Sequence, residues 1–161
     1  LCQSLIRRRS DRMIRQISVD GLIECPEFPA LLQEYADECP PKSGMPHTYN
    51  KATYKALEES GALQSFGAFG EDEELLGFVT VIITMLPKYT SLIGATESFF
   101  VASKHRKTGA GVKLLRAAEA KASEAGAFGM LVSAPSGGRL AEVMPKSGYE
   151  ESDIIFFKGL K

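Results

Sequence analysis

The run from Leu92 to Ala134 constrains this chain more than any other part of it. Leu92 to Val101 is rich in β-branched and aromatic residues and reads as a strand, which breaks into a short basic loop at Lys104 to Lys107. Gly109 and Gly111 then open a helix, Gly109 to Ala125, rich in Ala and Leu and ended by Gly126. Phe128 to Ala134 follows as a buried strand. Strand, helix, strand in that order requires a crossover connection, so the sheet holding them cannot be purely a meander of hairpins.

The residues upstream supply the meander. Ala62 to Gly70, the acidic turn Glu71 to Glu74 and Leu75 to Met85 read as a hairpin, and Pro87 begins the turn into Leu92 to Val101. Glu27 to Cys39 has Phe28, Leu31, Leu32, Tyr35, Ala36 and Cys39 on one helical face, and Pro40 and Pro41 stop it. Asn50 caps a second helix, Lys51 to Ser60. Met13 to Ser18 serves as a short first strand, Gly138 to Lys146 as a short helix, and Tyr149 to Phe157 as a closing strand. The expected order is β-α-α-β-β-β-α-β-α-β: an α/β (α+β) layer fold whose mixed, largely antiparallel sheet carries helices on both faces.

At 161 residues the chain has the size of one domain, and residues 13–161 are expected to form it. Residues 1–12 have no periodicity and read as a flexible extension; Arg7, Arg8, Arg9 and Arg12 against Asp11 give them a net of +3, which leaves −4 of the formal −1 to the body. A mildly acidic body argues against nucleic acid and anionic membrane as partners and suits a cationic substrate. Cys2, Cys25 and Cys39 have no metal-ligand spacing, so neither a metal nor a disulfide framework is expected. The apolar run Leu75 to Leu86 is too short to span a bilayer, and the expected location is the cytoplasm.

The chemistry concentrates where the strand meets the helix. A helix N-terminus presents unpaired N–H groups and a positive dipole end, and Gly109 and Gly111 let backbone approach a phosphate with no Cβ in the way. Lys104, Arg106 and Lys107 add charge. On these residues alone the ligand is phosphate-bearing and nothing finer. A nucleotide P-loop is a poor match, because Lys107 and Thr108 precede the glycines. A dinucleotide fingerprint would need a glycine at position 114, which is Leu114.

Val101, then Arg106-Lys107-Thr108-Gly109-Ala110-Gly111, then the pair Leu114-Leu115, with Gly148-Tyr149 downstream, resembles the acetyl-CoA-binding segment of the GNAT (N-acetyltransferase) superfamily. The resemblance implies acetyl-CoA as co-substrate, held by Phe99, Phe100 and Val101 of the strand, by Arg106, Lys107, Thr108, Gly109, Ala110, Gly111 and Val112 of the loop and helix start, and by Ala134. It implies an N-acetyltransferase that moves an acetyl group directly to a small-molecule or peptide amine in a ternary complex, and it leaves a homodimer open. There are departures: Ser103 stands where the family commonly has Pro, and Met144 where many members carry a Tyr as general acid.

The resemblance puts the acceptor site around the loop between the first two helices, which makes Tyr35, His47, Tyr49 and Glu97 the candidate acceptor-binding residues. Glu97 reads either as a structural carboxylate, solvated or paired with a Lys, or as the base that takes a proton from the amine; by simple alternation it shares a face with Phe99 and Val101. His47 is a surface loop residue or the second candidate catalyst. A non-catalytic acyl-CoA-binding or regulatory module would keep the phosphate loop and lack a working base.

Overall fold

The computed structural model describes residues 13–40 and 49–160. The extension expected over residues 1–12 and the candidate His47 lie outside the described residues. The first element is β1 (Ile14–Gln16), followed by α1 (Val19–Glu24), α2 (Phe28–Glu38) and α3 (Lys51–Glu59). The hairpin β2 (Leu63–Phe69) and β3 (Leu75–Leu86) leads to β4 (Ser91–Val101), then to α4 (Ala110–Glu124), β5 (Gly129–Leu131) and α5 (Arg139–Val143). The strands form one sheet in the order β1-β2-β3-β4-β5, with only β4 and β5 parallel. The expected mixed, largely antiparallel sheet is therefore present.

Helices cover both faces, and the period of each strand explains how. On one face α4 lays Ala110, Leu114 and Ala118, one residue per turn and each 0% exposed, against Phe66, Val79, Val81 and Val101. On the other, Leu22 of α1 with Phe28 and Leu31 of α2 packs on Phe69, Leu75, Phe78 and Phe100. Burying a Leu or Phe side chain of this kind contributes about 1.5–3 kcal/mol, so these two clusters hold the layers together.

Two bulges interrupt the alternation. Between β2 and β3, Ala68 pairs with Gly77 and Phe69 with Leu75, which leaves Leu76 as an extra residue. Between β3 and β4, Thr80 pairs with Ser98 and Val81 with Thr96, which leaves Glu97 as an extra residue.

The structure departs from the expected order in three places. Helix α1 was not legible: it has six residues, includes Gly21, and depends on tertiary partners, since Glu58 accepts a hydrogen bond from the Val19 N–H at 2.8 Å and Lys51 and Lys55 pair with Asp20. The strand expected at Phe128 to Ala134 shrinks to Gly129–Leu131, with Phe128 89% exposed. The closing strand expected at Tyr149 to Phe157 does not form. Its apolar residues Ile154 to Phe157 are consecutive, so a strand there would need cover on both faces, and the acidic stretch Glu150 to Asp153 precedes them.

Candidate active site

The strand–helix junction is built as its residues suggest. Gly109 stands at the N-cap of α4 with φ 81°, a left-handed conformation that costs glycine nothing and strains any residue with a Cβ. Gly109 itself has no side chain to cap the helix, and the N–H groups of its first turn at Gly111 and Val112 have no intrahelical acceptor. The Thr108 hydroxyl donates to the His105 carbonyl at 2.7 Å and accepts from the Ala110 N–H at 3.3 Å, which shapes the turn. A Cβ built on Gly111 would lie 3.7 Å from Phe99 and Val101, in ordinary contact. Lys104, Lys107 and Val112 are exposed around this end. Backbone donors, a helix dipole and exposed lysines fit a pyrophosphate.

Arg106 is placed differently from its lysine neighbours. Its Nε donates to the Val101 carbonyl at 3.0 Å, its Nη2 donates to both oxygens of Glu38 at 2.7 Å, and the guanidinium lies 5.3 Å from the centre of the Phe100 ring. Glu34, one turn earlier on α2, accepts from the Ser103 N–H at 2.8 Å, a bond that holds its carboxyl below the usual range. Tyr35 stacks on Phe100 at 5.1 Å. Helix α2 thus grips the loop from one side, and the charge of Arg106 is already matched by Glu38.

Glu97 corrects the alternation expected of it. As the extra residue of the bulge it turns to the face of Ser98 and Phe100, not to that of Phe99 and Val101. Its side chain is exposed, yet both oxygens are bonded: the Tyr54 hydroxyl donates to Oε1 at 2.7 Å and the Thr80 hydroxyl donates to Oε2 at 2.9 Å. Among the described residues no Lys or Arg pairs with it.

Aromatic rings surround that carboxylate. Tyr54 stacks on Tyr49 at 4.2 Å, and Tyr49 meets Phe28 edge-on at 5.4 Å. Burial, helped by Glu97 and Glu58, pushes the Tyr49 phenol up to about 12, and among the described residues its hydroxyl has no partner. Burial raises Tyr35 too, opposed by a hydrogen bond from the Phe99 backbone N–H. Ala134, beyond β5, is half-buried, and next to it the Ser133 N–H donates to Thr96 at 3.1 Å. Met144 is 9% exposed and brings no acidic proton.

The parallel pairing of β4 and β5 ends at Ala95 and Leu131, so among the described residues no strand pairs with β4 on that side from Thr96 onward, and the side is open. The Ser98 and Ala102 N–H groups point to β3, at Thr80 and Leu76, so by alternation those of Phe99 and Val101 point to the open side. The structure therefore brings Glu97, Tyr35 and Tyr49 together, and sets Phe99 to Gly111 at the adjoining junction. A cavity of about 270 Å³ lined by Ile17, Glu58, Leu63 and Ser65 among others shares no residue with either group.

No local sequence signal marks Tyr54, Thr80, Glu34 or Glu38. Tyr54 sits mid-helix where an aromatic residue reads as packing, and no local signal pairs it with a strand residue 43 positions on.

Comparison with known proteins gives one family. The model of the acetyltransferase (GNAT) family matches residues 28–142. No curated protein matches the sequence. Solved structures share the fold: a ribosomal-protein-alanine N-acetyltransferase from Brucella melitensis biovar Abortus 2308 is 20% identical, with TM-score 0.64 over 90% of this chain and 96% of that one. An aminoglycoside acetyltransferase from an uncultured soil metagenomic sample, in complex with sisomicin, is 19% identical, with TM-score 0.70 over 94% and 99%. Glucosamine-6-phosphate N-acetyltransferase from Arabidopsis thaliana is 14% identical, with TM-score 0.68 over 92% and 97%.

Proposed function

The chain belongs to the acetyltransferase (GNAT) family, and from that premise we propose that it is an N-acetyltransferase, moving an acetyl group from acetyl-CoA to an amine by direct transfer in a ternary complex. The observation that carries the reading is the exposed Glu97 carboxylate, held by hydroxyls and unpaired with any cation among the described residues, beside the open side of β4.

Bound acetyl-CoA supplies the activated acetyl group as a thioester. The first-turn N–H groups of α4 and the side chains of Lys104 and Lys107 would hold its phosphates, while Arg106, matched by Glu38, keeps the loop in shape. An amine is protonated at neutral pH and must lose a proton before it attacks a carbonyl carbon. Glu97 would attract the ammonium and accept that proton. The Val101 N–H, on the open side of β4, would donate to the carbonyl oxygen as charge develops there; removing such a donor typically costs several kcal/mol in the barrier. With Met144 where an acid is common in the family, the thiol would leave as thiolate, which its ordinary acidity permits. The acceptor class that suits the carboxylate is a small-molecule or peptide amine.

A screen of amine classes with acetyl-CoA, reading thiol release, tests this. Acetyl-CoA binding by calorimetry without release on any amine would replace the enzyme with the non-catalytic module, which the buried Met144 favours.

A further inference from the structure

The base assigned to Glu97 has an unusual support. Each of its oxygens takes one hydroxyl donor, Tyr54 from α3 on Oε1 and Thr80 from β3 on Oε2. An ionised carboxylate has further lone pairs after two such bonds, so both oxygens can still accept. Hydroxyl donors orient the group without cancelling its charge, as a lysine or arginine would.

Both donors are themselves fixed. The Thr80 residue is 0% exposed, and its hydroxyl, having committed its one proton to Glu97, accepts from the Ser98 hydroxyl at 2.7 Å and from the Ser98 N–H at 3.2 Å. That satisfies its whole capacity. The Tyr54 ring lies flat on Tyr49, interplanar angle 19°, and the chain of rings continues through Phe28 to Phe78 in the core. Burial, then the bond to Glu97, drives the Tyr54 phenol far up, so it stays a proton donor throughout the working range of pH. Helix α3 has no fully buried residue of its own. Its one side-chain hydrogen bond to β4 among the described residues is the one from Tyr54.

We propose that Tyr54 is a positioning residue for the transfer reaction: its hydroxyl aims the bulge carboxylate of Glu97 at the acceptor amine, while Thr80 holds the other oxygen. The proposal rests on Glu97 acting as base. It makes α3 part of the catalytic machinery through one hydroxyl, and the bulge explains why that hydroxyl can reach a strand residue at all.

A double-mutant cycle tests it, using the full chain, acetyl-CoA and the best amine from the screen. Tyr54→Phe keeps the ring stack and removes only the hydroxyl. It should lower kcat roughly ten- to hundred-fold with the acetyl-CoA dissociation constant unchanged, and the loss should shrink at high pH, where the amine is already neutral. In a Glu97→Gln background the same change should cost almost nothing, because the group it aims is gone. An equal loss in both backgrounds would overturn the positioning role while leaving the base in place. Near-normal kcat for Glu97→Gln alone at neutral pH would overturn the base, and the proposal with it. Should Tyr54→Phe not fold, Thr80→Ser against Thr80→Val keeps the question decidable: the first retains the hydroxyl and should retain activity. The second should lose activity only where Glu97 is present, and a loss independent of Glu97 would count against the proposal.

Discussion

At Glu97 the two oxygens already accept from Tyr54 and Thr80, so changing the charge and changing the shape can be separated. Glu97→Gln keeps the length and one acceptor oxygen but cannot take a proton. Turnover should fall roughly 10²–10⁴-fold at neutral pH, with acetyl-CoA affinity little changed. The deficit should narrow as pH rises and the acceptor amine loses its proton unaided. Rates measured against pH with a saturating amine check both parts. A purely structural Glu97 would instead lower the melting temperature and give a loss that pH does not repair.

Among the elements, the start of α4 and the small helix α1 make separate claims. Gly109 and Gly111 serve the same turn but differ in what a side chain would meet. At Gly109 the φ of 81° makes any Cβ strained, so a substitution there mixes folding with binding. At Gly111 a Cβ has room at 3.7 Å from its neighbours, so Gly111→Val should fold and still block the approach to the first-turn N–H groups. Calorimetry should find acetyl-CoA binding at least roughly tenfold weaker, with circular dichroism unchanged. Wild-type affinity in that folded variant would remove the loop from the cofactor site. Helix α1 is tied to α3 by Asp20, whose carboxyl the hydrogen bonds from Lys51 and Lys55 lower from 3.8 to about 2. A depressed pKa means stability present above 3.8 and lost as pH falls toward 2. Asp20→Asn should therefore melt slightly lower than the wild type at pH 6, and the two should converge as the pH approaches 2. Both ion pairs are exposed, so the difference should be small.

For the whole molecule, the layer between α4 and the sheet is where a single change matters most. Leu114 is 0% exposed and packs in the cluster that joins α4 to the strands. Leu114→Ala should cost about 2–5 kcal/mol, read as a shift in the urea midpoint with an unchanged slope. Much of this plan is written locally. Apolar residues spaced by one turn marked α2 and α4, β-branched runs marked the hairpin and β4, and the glycines after a basic loop marked the proposed cofactor end, because period and turn chemistry are properties of neighbouring residues. The closing strand looked equally local and did not form, since a strand exists only where a partner edge and a covering layer receive it. Glu97 shows the division most clearly. Its residue type and place on a strand made it a candidate, but a bulge is a mismatch in count between two strands, and no single strand carries that count. Only pairing with β3 turned Glu97 to the face of α3, and only there could Tyr54 and Thr80, 43 and 17 positions away, take hold of its oxygens. Local sequence determined which residues had the chemistry; long-range register decided which of them meet.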